Sequence, residues 1–360
     1  MAKKIAIVGT QGIPAKYGGF ETLAENLIRE NRSMNIQYTV FCSAKDIKPR
    51  LTNYKNALLK YIPLRANGVN SIPYDILSLI RSTWGYDVVL VLGVSGCIFL
   101  PFFCLFFRGK LIINIDGLEH RRGKWNRFAK RFLRFSESLA VKFANIIVVD
   151  NKGIQDYVKE TYKKSSALIT YGGNHALREV KEKRQKEILQ HYGIEIKEYS
   201  LAICRIEPEN NCHLILEAFA ETGNPIVFVG NWSISKYSCE LINKYETYST
   251  IHFINSLYDL DSLYVLRKHC KFYIHGHSAG GTNPSLVEAM FFGNPIFAYD
   301  CIYNKETTEY CANYFRSKDD LINILALNYN DLVNNGSSMV KVSNFRYVWE
   351  KIIKEYEALY

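Results

Sequence analysis

Twelve apolar runs recur along the 360 residues, each six to eight residues long, most of them separated by segments with helical periodicity. In the first half they are 4–9, 37–43, 59–64, 87–93, 110–117, 145–150 and 166–171; in the second, 199–205, 225–231, 250–255, 271–277 and 295–300. Strands that are continuously apolar are covered on both faces, so these runs predict parallel sheets with helices on each side. The helical segments include 19–30, 74–82 and 125–143. The charged stretch "REVKEKRQKEIL", 178–189, separates the two series and reads as a solvated helix. The chain therefore predicts an α/β protein of two Rossmann-like domains, residues 1–175 and 176–343. Ligands of such sheets bind beyond the carboxyl ends of the strands, which directs the search for a site to the cleft between the domains.

Glycine marks two such strand ends. "GTQGIPAKYGGFETLAENL", 9–27, places Gly9, Gly12, Gly18 and Gly19 between a strand and a helix. The spacing is not the G-x-G-x-x-G of dinucleotide binding, which weakens a dehydrogenase reading. A helix that begins near Gly18 and Gly19 offers free N–H groups and the positive end of a dipole, suited to a phosphate; a purely structural turn is the alternative. "HGHSAGGTNPSLVEAMFFGNPI", 275–296, repeats the design with Gly280, Gly281, Thr282, Asn283 and Ser285 around Pro284 at the first helical position. Glu288 follows one turn later. "CRIEPENNCHLILEAF", 204–219, ends a strand with Arg205, a permanent cation whose five donors suit a diphosphate.

Charge is divided unevenly. Residues 1–175 hold 26 Lys and Arg against 12 Asp and Glu, and residues 176–360 hold 19 against 23. A basic half fits nucleic acid, an anionic membrane surface, or a solvated face. The segment 121–135, "RRGKWNRFAKRFLRF", joins Arg121, Arg122, Lys124, Arg127, Lys130, Arg131 and Arg134 to Trp125, Phe128, Phe132, Leu133 and Phe135. Part of the apolar set recurs at helical spacing, as in an interfacial helix. No RNA-binding module accompanies it. The most apolar stretch, 97–107, is about half the ~20 residues a spanning helix needs, and reads as a buried or interfacial helix. Nine cysteines without C-x-x-C spacing read as free thiols of a reducing cytoplasm, and strand residues from Lys3 onward leave no room for a signal peptide.

At this point the motifs resemble a family. "CRIEPENN" is similar to the Gly-Arg-x-x-Pro-Glu-Lys-Asn/Gly motif of glycosyltransferase family 4, and "NPSLVEAMFFGNPI" to its Glu-Ala-Met-x-x-Gly-x-Pro-Val stretch. The opening glycine segment, with "NIDGLEHRRGKW" (114–125), resembles a bacterial subgroup associated with rhamnosyltransferases of capsule, O-antigen and cell-wall polysaccharide assembly. The resemblance implies a GT-B fold, with the last helix, 344–360, crossing back to the first domain. It implies retaining transfer from a nucleoside-diphosphate sugar, dTDP-L-rhamnose by the subgroup, to a lipid-diphosphate-linked saccharide at the inner membrane face. No metal is expected: a transfer stabilised by Arg205 and backbone amides requires none, and His275 and His277 lack an obvious third ligand.

The same resemblance assigns roles. Gly18, Gly19, Arg205, Asn210, Asn211, Gly281, Thr282, Asn283, Ser285 and Glu288 would hold the donor, Glu288 through the ribose hydroxyls. By their own chemistry at a strand end, rather than by the resemblance, Asp116, Glu119 and His120 would face the acceptor, with Asp116 favoured to receive or orient its hydroxyl proton; a loop hydrogen bond is the alternative role for any one of the three. Arg205 and the amides would stabilise the leaving diphosphate. Three positions depart from the family motif: Gly280 stands where a glutamate usually touches the donor sugar, Asn210 where a lysine binds phosphate, and Cys204 where a glycine precedes the arginine. A UDP-hexose or UDP-N-acetylhexosamine donor, a GT-B sugar-nucleotide epimerase and a non-catalytic membrane- or nucleic-acid-binding protein are the competing functions.

Overall fold

The computed structural model describes every residue except Met1, Lys16, Tyr17, Arg32, Asp116 and 122–125; the side chains of Arg121 and Asp331 are likewise outside the description. The chain forms two compact units, Met1–Tyr171 with Trp349–Tyr360, and Gly172–Val348.

The first unit is built on an eight-stranded sheet. Its strands are β1 (Lys3–Val8), β2 (Ile36–Ser43), β3 (Asn53–Tyr54), β4 (Ala57–Ile62), β5 (Val88–Leu92), β6 (Lys110–Ile115), β7 (Ile146–Val149) and β8 (Ala167–Leu168), in the order β3-β4-β2-β1-β5-β6-β7-β8. Every pairing is parallel except the β3–β4 hairpin. Ile5, Ala6, Ile7 and Val8 are all fully buried, as a strand covered on both faces must be. The C-terminal helix Trp349–Leu359 buries Trp349, Ile352, Ile353 and Tyr356, the i, i+3, i+4, i+7 stripe of an amphipathic helix. This stripe joins the core formed by Ile5, Ile7, Leu90 and Ile112. Asn114 donates to the Tyr356 hydroxyl at 2.7 Å, and Lys110 Nζ to the Leu359 carbonyl at 2.7 Å, pinning the helix to β6.

The second unit has six parallel strands, β9 (Ser200–Ile203), β10 (Ile226–Val229), β11 (Ile251–Ile254), β12 (Phe272–His275), β13 (Ile296–Tyr299) and β14 (Asn313–Phe315), in the order β11-β10-β9-β12-β13-β14. Alternate residues of one strand feed opposite cores. Leu201, Val227 and Tyr273 enter one cluster, and Ala202, Phe228, Phe272 and Ile274 the other. That is the two-residue period of a pleated strand between two helical layers.

Three elements differ from the sequence expectation. The helix foreseen over 344–360 is divided: one helix, Tyr329–Arg346, ends in the second unit, and another, Trp349–Leu359, begins in the first. The break is held by buried Tyr347, whose carbonyl accepts from the Gly173 amide at 2.8 Å and whose hydroxyl donates to Thr307 at 2.8 Å. The short strands β3 and β14 carry no apolar run and were not foreseen.

Candidate active site

The order of strands locates the candidate site in each sheet. In the second unit the chain runs from β9 outward to β10 and β11, then returns to β12 on the other side of β9. The loops after β9 and β12 therefore diverge, and such a switch point is where open α/β sheets bind ligands. Those loops carry Cys204–Asn211 and Gly276–Asn283.

Three ties zip the two loops together. Asn211 Nδ2 donates to the Gly276 carbonyl at 2.8 Å. His277 Nδ1 donates to Asn210 Oδ1 at 2.6 Å, and Ser278 donates to the Glu209 carbonyl from its amide at 2.9 Å and from its hydroxyl at 2.8 Å. Gly276 permits this closeness, since a Cβ there would lie 2.1 Å from the Asn210 carbonyl oxygen. Asn210 is buried and its amide nitrogen donates to the Arg205 carbonyl at 2.6 Å. Both polar atoms of its side chain are thus engaged within the protein, and it braces the loop that bears Arg205. Asn211 adopts φ 49°, caps the helix Cys212–Thr222 and uses its side chain on Gly276. The Arg205 guanidinium is partly exposed, 3.9 Å from Glu207.

On the β12 side, Asn283 caps the seven-residue helix Pro284–Met290, accepting from the Ser285 amide at 3.0 Å and its hydroxyl at 2.9 Å. Gly281 and Thr282 are buried, and Gly280 has φ 112°, a backbone that only glycine adopts without strain. Glu288 lies between a guanidinium and an imidazole. One carboxylate oxygen pairs with Arg267, and the other lies 3.2 Å from His175 Nε2. Burial alone would raise its pKa, but the charge of Arg267 and the hydrogen bond from His175 outweigh burial and hold it below the usual carboxylate range. Glu288 is therefore an ionised, pre-oriented acceptor whose remaining lone pairs are suited to hydroxyl donors.

Neither Arg267 nor His175 was foreseen. Arg267 is buried within the helix Leu260–His269, where an Arg-Lys-His run reads as an ordinary basic helix end. His175 closes "YGGNH" after β8, and that third glycine pair was the available signal. His275, at the end of β12, is buried and its pKa is pushed down to about 3 by desolvation, so it stays neutral.

In the first unit the switch point lies between β1 and β5, at the loop that opens with Gly9. Its glycines have internal reasons. A Cβ on Gly9 would lie 2.1 Å from the Leu92 carbonyl oxygen, and one on Gly12 would lie 2.7 Å from Cys42. Gly18 precedes the helix Gly19–Arg29 with φ 119°, and a Cβ there would meet a Glu21 carboxylate oxygen at 2.0 Å. Glu21 belongs to the first turn of that helix. It accepts from Thr10 Oγ1 at 2.9 Å, from the Gln11 amide at 2.7 Å and from its own amide. Burial raises its pKa. So the helix start at Gly18 and Gly19, expected to face a phosphate, already receives a carboxylate from within the protein.

The expected acceptor loop is described in part. Asp116 lies outside the described residues, as do Arg122, Lys124, Trp125 and the Arg121 side chain. Glu119 and His120 are half-buried in a single 3-10 turn. His120 Nδ1 donates to Glu137 at 3.1 Å, and Tyr157 and Tyr162 donate to the other oxygen of Glu137 at 2.8 and 2.7 Å. Burial opposes the charge of Glu137, but these donors outweigh it and keep its pKa low. Helix Arg127–Phe143 then carries Arg127 and Arg131 exposed and Lys130 half-buried, with Leu133 turned inward.

Comparison with known proteins places the architecture. Residues 184–314 match the family described as Glycosyl transferases group 1, and residues 2–174 match Domain of unknown function (DUF1972). No curated protein matches the chain. Sucrose-phosphate synthase from Thermosynechococcus elongatus superposes with a TM-score of 0.81 at 14% identity, covering 99% of this chain and 98% of that one. HepE from Anabaena, solved with UDP-glucose, gives 0.77 at 14% identity and 99% coverage of both chains. The catalytic domain of starch synthase IV from Arabidopsis thaliana, bound to ADP and acarbose, gives 0.71 at 12% identity, with 99% and 98% covered. The fold is GT-B. With a group 1 glycosyl transferase domain in its second unit, the chain is a glycosyltransferase.

Proposed function

We propose that this glycosyltransferase moves a sugar, L-rhamnose from dTDP-L-rhamnose, with retention of configuration, onto a lipid-diphosphate-linked saccharide of a bacterial surface polysaccharide. The reading rests on the second unit's switch point. There a loop bearing Arg205 is tied to the loop that leads into Glu288, and Glu288 is held ionised by Arg267 and His175. A cation for a leaving diphosphate and an ionised acceptor for ribose hydroxyls are what a nucleoside-diphosphate sugar requires. UDP-glucose and ADP in two structurally similar proteins support a nucleotide sugar as the donor class. The resemblance of the opening and 114–125 motifs supports rhamnose.

Glu288 would take the ribose, Arg205 the diphosphate, and the amides of Gly281 and Thr282 the remaining phosphate oxygens, with no metal in the transfer. Asp116, Glu119 and His120 would face the acceptor hydroxyl. Asn210 supports Arg205 rather than the ligand, because its own polar atoms are engaged. The Glu21 carboxylate beside Gly18 makes the first unit's helix start a poor seat for a second phosphate contact. Arg127, Lys130 and Arg131, with the other basic residues of 121–134, would draw the first unit to the inner face of the plasma membrane.

The test is a donor panel of dTDP-L-rhamnose, UDP-glucose and UDP-N-acetylglucosamine, each with and without a polyprenyl-diphosphate saccharide. Acceptor-dependent nucleotide release with dTDP-L-rhamnose is expected. Release with a UDP-sugar alone would reassign the donor. Isomerisation of the sugar without acceptor would make the chain an epimerase, and no turnover of any donor would overturn the reading.

A further inference from the structure

Helix Leu100–Phe106 is apolar around its circumference, yet only half of it is covered. Leu100 and Phe103 are buried, whereas Phe102, Leu105 and Phe106 are 62%, 61% and 60% exposed. Their i, i+3, i+4 spacing sets them on one stripe. Trp84, 68% exposed, brings its ring centroid to 6.4 Å from that of Phe106. A helix hydrophobic on all sides is normally buried, and a contiguous exposed patch of this kind marks a docking face.

The neighbouring helix indicates what covers it. β5, β6 and β7 are adjacent and parallel, so right-handed crossovers place helices Leu100–Phe106 and Arg127–Phe143 on the same face of the sheet, where they touch. The solvent side of Arg127–Phe143 carries Arg127, Arg131 and Arg134, interleaved with Phe128 at 83% and Phe135 at 55% exposure. Its carboxylate, Glu137, is turned inward to His120 and two tyrosines. A groove of about 460 Å³ beside Arg131 and Arg134 also exposes Ser138 and Thr161. Aromatic rings beside guanidiniums, with the helix's acid withdrawn, complement a surface that is apolar below and anionic above.

We propose that the stripe Phe102, Leu105 and Phe106, with Trp84, inserts into the interfacial layer of an anionic phospholipid bilayer, while helix Arg127–Phe143 lies over its headgroups. This deepens the membrane reading of the basic helix and rests on it for the partner. It adds an apolar anchor on a different helix. Binding then has two separable parts: a coulombic part screened by salt and an apolar part that salt leaves in place.

The experiment uses the full chain, sedimented with phosphatidylglycerol–phosphatidylcholine vesicles and with phosphatidylcholine vesicles at low and high salt. Phe102→Ser/Leu105→Ser/Phe106→Ser should weaken binding to anionic vesicles at least ~10-fold and remove what survives high salt. Arg127→Gln/Arg131→Gln/Arg134→Gln should remove the preference for anionic vesicles and spare the salt-resistant part. Acrylamide quenching of Trp84, read as the difference between wild type and Trp84→Phe, should fall when vesicles are added. That measurement needs no destabilising substitution. Wild-type vesicle binding by the apolar triple variant, or Trp84 quenching unchanged by vesicles, would overturn the anchor while leaving the basic-helix reading intact. Loss of binding on substituting the anchor but not the arginines would overturn the placement of helix Arg127–Phe143 over anionic headgroups, and with it the anionic bilayer as the partner. Concentration-dependent dimers in wild type that the apolar triple variant abolishes, without vesicle binding by either, would assign the patch to a second copy of the chain and overturn the proposal.

Discussion

Arg267→Met should cost the second unit far more stability at neutral pH than in mild acid. Arg267 is buried and bonds one oxygen of Glu288, whose other oxygen faces His175 at 3.2 Å. Removing one member of a buried pair leaves a charge without its partner, which costs about 3 kcal/mol or more. For a unit of this size that is a fall in Tm of roughly 9 °C, at about 3 °C per kcal/mol. The sign with pH follows from the two opposed influences on Glu288. Burial raises its pKa, and Arg267 and His175 more than reverse this, so the wild-type carboxylate contributes stability at pH above its unfolded pKa and loses it as pH falls through the lower folded value. Without Arg267 the largest influence opposing burial is gone, so the carboxyl takes up a proton at higher pH than in the wild type. Once it is protonated, no uncompensated charge remains. The loss caused by the substitution should therefore shrink as pH drops from 7 to about 4.5, the range in which a carboxyl released from its cation titrates. Differential scanning calorimetry of wild type and variant at both pH values, following the transition of the second unit, measures it. A loss of the same size at both would show that Arg267 acts through packing alone. Activity supplies a second readout: if Glu288 meets the ribose, donor KM rises in the variant more than kcat falls.

Three further outcomes are expected. Arg205→Ala should lower turnover by roughly 10²–10³-fold, the scale of one lost preorganised charge stabiliser, in a protein that still folds; near-wild-type turnover would remove Arg205 from the site. Gly18→Ala should destabilise the first unit by about 1–3 kcal/mol, because φ 119° is strained for alanine and the new Cβ meets Glu21 at 2.0 Å; unchanged urea unfolding would contradict that geometry. Asn210→Ala should cost about 1 kcal/mol by removing the side-chain bonds to the Arg205 carbonyl and to His277 Nδ1 that tie the two loops; a neutral result would mean the remaining ties suffice to hold the loops.

How far the candidate site could be read in the sequence depended on the range of the interactions. Arg205 and Glu288 stand in contiguous motifs, so local spacing exposed them. Arg267 stands 21 residues before Glu288, and His175 far earlier still, with no periodicity connecting them to it. The glycines of 9–19 were visible, but their purpose was not. Gly9 and Gly12 are bare because β5 and β2 pass close by, and Gly18 because Glu21 folds back over it. The same glycine pattern could have faced an anionic ligand.

The sequence by itself determined the two parallel α/β units, because continuous apolar runs cannot be stable unless both faces of the sheet are covered. It also determined the place of the loops, since helix and strand patterns are local. Only the tertiary structure decided which side chains meet at those loops and which apolar surfaces stay uncovered. Helix Leu100–Phe106 shows the difference. Its composition is apolar on every side, and only the packing of its neighbours decides that Phe103 lies inside while Phe102, Leu105 and Phe106 face solvent. Hydrophobicity states what burial would gain, and the arrangement of the chain in space states whether there is anything there to bury against.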